Sequence, residues 1–422
     1  MNPPLPLFQL KKSLLERFLR YIKIDTQSCD NPQCYPSTKK QFDLAHLLVA
    51  ELREFGLKDA CVDSNCYVTA TVAATQQGNG PIVGLMAHLD TSPELSGANV
   101  SPLIIDKYEG GDIVIDERLG VVVLERENPD LKHARGHTIV TADGTTLLGA
   151  DDKAGIAAIM TAVEFLVENP QVPHCELRIA FTPDEEIGRG VQYFDLGKFG
   201  ADFAYTIDGS FTGELNDETF SADAALITIT GRDMHPGTAN GLMVNSIRAV
   251  AEIVSRLPRG KAPETTSGRE SYLHPQTLSG SVGVSSLKVL LRDFDDSGLA
   301  RQKIILERAI AEVQTLFPEA AFSLEITPTY RNMRPELAKR PGVLKRLERA
   351  VEKTGIIPVW KPIRGGTDGS VLTARGLPTP NIFTASCNSH SLTEWLDVDG
   401  LLKAVETALN LLDPIDAKTP GR

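Results

Sequence analysis

The stretch IVGLMAHLD, residues 82–90, is an apolar run that ends abruptly in two side chains of the metal-ligand type, His88 and Asp90. Two further runs, Glu176–Thr182 and Phe203–Ile207, also end in charged residues. Short apolar runs separated by helical segments are typical of buried, largely parallel strands in an α/β sheet. Because sites in open α/β sheets form at the carboxyl ends of the strands, we expect the three endings to converge.

Length and charge set the broad class of the protein. The chain has 422 residues, which suggests two or three domains, and 55 acidic against 43 basic side chains give a net charge of -12. Nucleic-acid binding and attachment to an anionic membrane surface both need clustered Lys and Arg, so we expect neither. No apolar run reaches the roughly 18–20 residues that span a bilayer. The N-terminal segment also lacks the apolar stretch of a secretory signal.

The six cysteines are scattered and form no CxxC motif. No His or Cys partners lie at the spacing of a zinc finger. Reduced thiols in a cytoplasmic protein are therefore the prediction.

The pattern of elements predicts an α/β fold in which a catalytic domain with a mostly parallel sheet carries an inserted α+β lid domain. Amphipathic helices are expected at residues 10–24 and 41–55, the second ending at Gly56. The pattern of predicted helices and strands changes after Asp208. Residues 258–277 are rich in Pro, Ser, Thr and Gly, the composition of a long loop. The predicted domains are 1–213 and 328–422 for the catalytic part and 214–327 for the insert. The insert is expected to be βαβ-like, with strands at 225–230, 283–292 and 321–327 and helices at 243–257 and 298–317.

Seven residues share one kind of position, in a loop bounded by Gly or Pro or at the end of an apolar run. Taken singly, each has a structural explanation, such as a helix cap for Asp90, a solvated turn at 151–153, or a helix-dipole pair for Glu185 and Glu186. Two histidines together with several carboxylates, however, are the ligands of a divalent transition-metal site. The seven residues are His88, Asp90, Asp151, Glu185, Glu186, Asp208 and His390.

Eight motifs resemble, in order, those of the tripeptide aminopeptidases in the M20 metallopeptidase family. The resemblance runs from about Leu14 to beyond Trp395, and its second and third motifs are long and specific. The motifs are MAHLDTSP, LLGADDKAGIAAIM, FTPDEEIGRG, AYTIDGS, HPGTANGLMVNS, LRDFD, PIRGGTDGS and GLPTPNIFTASCNSH.

The resemblance implies a pair of divalent ions, usually zinc, although cobalt or manganese would suit the same ligands. His88 and Asp208 would hold one ion, Glu186 and His390 the other, and Asp151 would bridge them.

In the same resemblance, Asp90 would accept the second imidazole N–H of His88, and Asp152 would cap the helix that begins near Lys153. Glu185 would be the general base for the water shared by the ions.

Three residues of the lid, His235, Asn245 and Arg292, match family positions that approach the substrate, a short peptide. Arg364 is a further candidate for anion binding. His235 is otherwise an ordinary loop residue, and Gly365-Gly366 a tight turn. The resemblance also allows a homodimer formed through the lid.

Three places depart from the family pattern, and all lie near the presumed substrate cleft. Thr393 replaces a second histidine, and residues 385–388 replace a Gly-Gly-Tyr-Asn-like run. After Asp208 the usual glycine pair has become Gly209-Ser210, followed by Phe211. These departures affect which substrate side chains the protein is expected to prefer and how strictly it is expected to select tripeptides.

The expected function is a zinc aminopeptidase acting on tripeptides. Alternatives are a dipeptidase, a carboxypeptidase or an N-acyl-amino-acid amidohydrolase on the same site. A metal-binding scaffold is a further alternative, although a scaffold has no need of Glu185.

Overall fold

The computed structural model describes residues 5–30, 32–75 and 80–414 of the chain. The chain divides into two compact units. The first unit comprises Met1–Asp217, Pro335–Lys361 and Thr367–Arg422, and the second comprises Glu218–Arg334 and Pro362–Gly366.

The described residues form the helices and strands with the following bounds. The helices are α1 Leu7–Tyr21, α2 Gln41–Glu54, α3 Ala150–Glu168, α4 Leu196–Phe199, α5 Ser246–Arg256, α6 Asp296–Leu316, α7 Arg334–Leu337, α8 Pro341–Glu352, α9 Asp368–Ala374 and α10 Val398–Leu411. The strands are β1 Cys61–Val62, β2 Val68–Val72, β3 Val83–His88, β4 Leu103–Ile105, β5 Ile113–Asp116, β6 Val121–Val123, β7 Ile139–Thr141, β8 Leu177–Thr182, β9 Phe203–Gly209, β10 Glu214–Asn216, β11 Ser221–Thr230, β12 Tyr272–Gly280, β13 Val284–Asp293, β14 Ala321–Tyr330, β15 Val359–Trp360, β16 Asn381–Phe383, β17 Ser386–Cys387 and β18 Trp395–Asp397.

The first unit is built on an eight-stranded sheet with the order β1-β2-β8-β3-β9-β16-β10-β15. Its centre is parallel, since β3 pairs in parallel with β8 and β9, and β9 with β16. The three apolar runs of the sequence are thus neighbouring strands that end at the same edge. The predicted α/β class and its mostly parallel sheet are confirmed.

Complete burial explains why β3 reads as an unbroken apolar run, because all six of its residues are buried. Helix α3 lies so close to β9 that a Cβ on Gly155 would collide with the backbone carbonyl oxygen of Ile207. This close packing fixes the beginning of α3, and with it Asp151 and Asp152, against the end of the strand.

The second unit is a four-stranded antiparallel sheet with the order β12-β13-β11-β14. Helices α5 and α6 share a buried core with it, which includes Ile227, Val289 and Leu306. The α+β composition agrees with the prediction, but the βαβ-like arrangement was wrong, because β13 and β14 both pair antiparallel with β11.

One strand of this sheet was missed. Tyr272–Gly280 lies within a segment predicted mainly as loop, yet it pairs with β13 as an edge strand. Its register shifts between Pro275 and Thr277, and its last five residues are exposed. Polar, Pro-containing edge strands lack the apolar alternation that reveals a half-buried strand.

The unit boundaries differ from the predicted insert at 214–327. Strand β10 hydrogen-bonds to β16 in the large sheet, so its residues stay with the first unit. Strand β14 continues to Tyr330, which pairs with Ala222, so the second unit extends further along the chain. Ile363 forms a bridge with Thr219, which brings 362–366 into the second unit as well.

Two further expectations concern the environment of the chain. Among the described residues, no helix is both long enough and apolar enough to cross a membrane. All six cysteines, each within the described part, are free thiols.

We predict that Gly155→Ala destabilises the protein although alanine is the better helix former. The added methyl group meets backbone, which cannot swing aside, and overpacking of a buried site costs about 1–3 kcal/mol. Gly342→Ala in α8 is the matched control, because nothing lies within 4 Å of its added Cβ, and it should be neutral or slightly stabilising. Urea unfolding measures both, and a Gly155→Ala protein as stable as wild type would contradict this packing.

Candidate metal centre

The carboxyl ends of three neighbouring strands supply most of the candidate site. His88 is the last residue of β3, Asp208 lies near the end of β9, and Glu185 and Glu186 follow β8. Asp151 lies at the beginning of α3, where its backbone and that of Asp152 are not yet helical. The predicted convergence of the strand endings is confirmed by the order of β8, β3 and β9.

The Asp151 carboxylate lies between two imidazole rings. Its Oδ1 is 2.9 Å from His88 Nε2, and its Oδ2 is 3.5 Å from His390 Nε2. Asp208 Oδ1 lies 3.6 Å from the same His88 nitrogen, and Glu186 Oε2 lies 2.8 Å from the same His390 nitrogen. Asp151 thus presents one oxygen to each of two imidazole–carboxylate pairs.

The charges of this cluster suit a divalent cation. Burial raises the pKa of Glu186 to about 8, and the neighbouring Asp151 carboxylate adds to the rise. Burial also raises the pKa of Asp208, although its hydrogen bond with His88 opposes the shift. Glu186 Oε1 is buried and has no hydrogen-bond partner among the described residues. An oxygen-rich set with an orphaned carboxylate oxygen fits the ligand needs of a bound metal ion.

Asp90 contacts His88 through both its backbone and its side chain. The ring N–H of His88 at Nδ1 donates to the backbone carbonyl oxygen of Asp90 at 2.9 Å, and the carboxylate oxygen Asp90 Oδ1 lies 3.5 Å from the same nitrogen. The Asp90 carboxylate also accepts the backbone N–H groups of Glu185, at 2.9 Å, and Glu186, at 3.3 Å. The proton on Nδ1 leaves His88 Nε2 available to a metal ion, and the Asp90 side chain orients the Glu185–Glu186 backbone.

Asp152 caps α3, as predicted. Its Oδ1 accepts the Gly155 N–H at 3.2 Å, and its Oδ2 accepts the His88 N–H at 3.1 Å. His88, Asp152 and Asp208 also offer ligand atoms within 4.8 Å of one another. Because both of its oxygens already accept N–H groups, Asp152 is better described as the residue that joins α3 to the end of β3.

A buried hydrogen-bond network that joins Asp184 to Ser37 and Gln41 was not predicted. Asp184 has a positive φ of 56°, which is unusual for a residue other than glycine. Its carboxylate accepts the Ser37 N–H at 2.6 Å and Gln41 Nε2 at 2.7 Å, and its own N–H donates to Gln41 Oε1 at 3.1 Å. These bonds fix the residue immediately before Glu185. The bonded residues are about 140 positions apart, so no local pattern reveals them.

The four predicted substrate residues belong to the second unit. His235 is exposed, and its Nδ1 accepts the Gly237 N–H at 3.1 Å. Asn245 caps α5, with its side-chain oxygen accepting the Ile247 N–H at 2.9 Å. Both side chains therefore also have a local structural role.

The two arginines of this set bond within the second unit too. Arg292 Nη1 donates to the Leu291 carbonyl at 2.9 Å. Arg364 Nη1 donates to the carbonyls of Gly268 and Glu270, and its guanidinium lies 5.3 Å from the ring centre of Phe220.

The second glycine after Arg364 has a packing role. A Cβ on Gly366 would collide with the ring of Tyr330. Gly366 therefore accommodates an aromatic ring.

A second group of possible ligands also escaped sequence analysis. His137, Asp397 and Asp399 offer ligand atoms within 4.8 Å of one another. Lys11 Nζ already lies 2.7 Å from Asp399, and His137 Nδ1 lies 2.8 Å from Asp397. Each acid of this group therefore already has a basic side chain as a partner.

A family model described as Peptidase family M20/M25/M40 matches residues 126–413. The chain belongs to this family. Peptidase T of Geobacillus kaustophilus is 45% identical over 409 residues, which is 97% of this chain and 100% of that relative. Membership confirms the family predicted from the motifs, and the chain is a metallo-exopeptidase.

Solved structures of M20 peptidases share the fold. Aminopeptidase PepT from Bacillus cereus has a TM-score of 0.73 at 20% identity, covering 96% of this chain and 98% of its own. A dinuclear metal-binding peptidase from Bacillus subtilis has a TM-score of 0.63 at 14% identity, covering 98% and 100%.

We predict that Gln41→Leu lowers the free energy of unfolding by about 1.5–3 kcal/mol, the typical size of a hydrogen bond to a charged group. The change keeps the shape of the side chain but leaves a buried Asp184 oxygen without its amide donor. Gln171→Leu is the control, since that side chain is exposed and, among the described residues, bonds to Asn169 alone. Chemical unfolding measures the free energy of unfolding of both variants. Equal values for Gln41→Leu and Gln171→Leu would contradict the role of the Gln41–Asp184 hydrogen bonds.

Proposed function

We propose that this chain is a dinuclear zinc aminopeptidase that removes the N-terminal residue of tripeptides in the cytoplasm. The observation that carries the proposal is the Asp151 carboxylate, which has one oxygen directed to each of two imidazole–carboxylate pairs. The substrate class is supported by the 45% identity to a protein named Peptidase T. The free thiols are consistent with a cytoplasmic location.

The proposed ligands follow the two pairs. His88 and Asp208 would hold one ion, Glu186 and His390 the other, and Asp151 would be shared. When bound, the ions would supply Lewis-acid activation of the peptide carbonyl and of water. Cobalt or manganese would accept the same ligands, so zinc is the choice that the family resemblance favours.

Glu185 is proposed to transfer a proton from the attacking water to the leaving group. As general base it would take a proton from the attacking water onto a carboxylate oxygen, and as general acid it would pass that proton to the nitrogen of the leaving peptide. Burial raises the pKa of Glu185 well above its usual range, and Asp208 adds to the rise. The backbone bond from Glu185 to Asp90 fixes the position from which the side chain acts.

The second unit would recognise the substrate through His235, Asn245, Arg292 and Arg364. Arg364 uses three of its five N–H donors for Gly268, Glu270 and Thr266. The remaining donors would suit a peptide carboxylate. A role for Arg292 is supported by the position of its guanidinium over the Tyr330 ring, which limits its orientations.

A substrate panel distinguishes the proposed activity from other activities on the same site. Zinc-loaded protein is assayed with a free tripeptide, its N-acetylated form, its C-amidated form and the matching dipeptide, each with and without chelator. The proposal predicts chelator-sensitive cleavage of the free tripeptide and release of its first residue. Cleavage of the acetylated peptide alone would indicate an amidohydrolase or a carboxypeptidase. Preference for the dipeptide would indicate a dipeptidase. If no peptide is cleaved although metal is bound, the protein is a metal-binding scaffold.

We predict that Glu185→Gln retains both metal ions but loses about 10²–10⁴-fold in kcat, the usual contribution of a positioned acid–base group. The amide cannot accept the proton, yet it leaves the proposed ligands in place. Glu127→Gln is the control, since that side chain is 63% exposed and should retain full activity. Metal content by mass spectrometry and steady-state kinetics measure the two effects, and wild-type turnover in Glu185→Gln would exclude it as the base.

A further inference from the structure

Glu394 joins two loops that carry proposed metal ligands. Glu394 is only 1% exposed, and it lies four residues after His390. Its Oε2 accepts the Gly149 N–H at 2.8 Å, and its Oε1 accepts the Asp151 N–H at 3.1 Å. One side chain on the His390 loop therefore holds the backbone of Asp151, which is 243 positions away.

The backbone at residues 149–151 has a conformation that suits this contact. Gly149 has a left-handed backbone, with φ 76° and ψ 30°, just before the non-helical Asp151. Successive N–H groups near such a residue form a concave site for an anion, which the carboxylate fills. Both carboxyl oxygens of Glu394 therefore accept backbone N–H groups from the residues at the start of α3.

Hydrogen bonds within the His390 loop link its residues to one another. Ser391 Oγ donates to the Asn388 carbonyl at 2.7 Å, and the Glu394 N–H donates to the Ser391 carbonyl at 3.2 Å. Asn388 Nδ2 also donates to the Thr393 carbonyl at 3.2 Å. These bonds close the loop on itself on both sides of His390, so its position relative to Asp151 depends on the point where Glu394 attaches.

We propose that Glu394 is a positioning residue that sets the separation of His390 and Asp151 and thereby the affinity of the centre for its metal ions. The inference rests on the proposed function only in taking these two residues as ligands. Groups that orient metal ligands typically account for 10–100-fold in metal affinity.

Glu394→Gln tests the inference, because the amide keeps the size of the side chain but turns an NH₂ group toward a backbone N–H. We expect 10–100-fold weaker zinc binding, measured by competition with a fluorescent zinc chelator. At saturating zinc, kcat should recover and the KM for the tripeptide should stay at the wild-type value. A purely structural role would lower the melting temperature without changing the zinc affinity.

Glu51→Gln is the matched control. Glu51 is also a buried carboxylate with both oxygens engaged, one by Arg20 and the other by Tyr21. It should lose stability but keep wild-type zinc affinity. If Glu394→Gln does not fold, Glu394→Asp keeps the charge on a shorter arm and should still bind zinc more weakly than wild type.

The outcomes separate the two proposals. Two zinc ions on the wild type and unchanged zinc affinity in the Glu394 variants would overturn the role of Glu394 alone. A wild-type protein that binds no zinc would contradict both the proposed function and this inference.

Discussion

The position of the Asp151 carboxylate between two imidazole rings is the constraint on which the centre depends. The rings come from distant parts of the chain, His88 at the end of a central strand and His390 in a loop near the C-terminal end. Asp151 lies within reach of both imidazole rings because α3 begins between them, at Ala150. Asp152 bonds α3 to the backbone of His88, and Glu394 bonds the residues before α3 to the His390 loop. The centre is therefore held through backbone contacts as much as through its side chains.

The same constraint explains why so many acids are buried together. An isolated buried carboxylate is costly, and here Asp90, Asp152 and Glu394 each offset that cost by accepting backbone N–H groups. Glu186 keeps one buried oxygen without a partner, and its pKa is raised. Buried acids thus divide into those that organise the backbone and those that face the centre. The overall charge of -12 does not reveal this division.

Sequence reasoning succeeded where chemistry follows a local pattern. The three apolar runs predicted neighbouring strands, and their abrupt polar ends identified His88, Glu186 and Asp208. It failed where a contact joins distant residues or where a strand lacks alternation. Gln41 and Asp184 have no shared pattern, Glu394 reads as an ordinary loop acid, and the edge strand Tyr272–Gly280 is polar and interrupted by proline. For Asp90 the contact with His88 was predicted but not the shorter bond through the backbone carbonyl oxygen, because a sequence does not show which atoms of a residue face a partner.

The most direct measurement of the central claim is a crystal structure of the zinc-soaked protein with anomalous data collected on both sides of the zinc absorption edge. The account predicts two zinc peaks of comparable height, one on each side of the Asp151 carboxylate, with His88 beside one and His390 beside the other. A single peak, or zinc bound only at His137, Asp397 and Asp399, would contradict it.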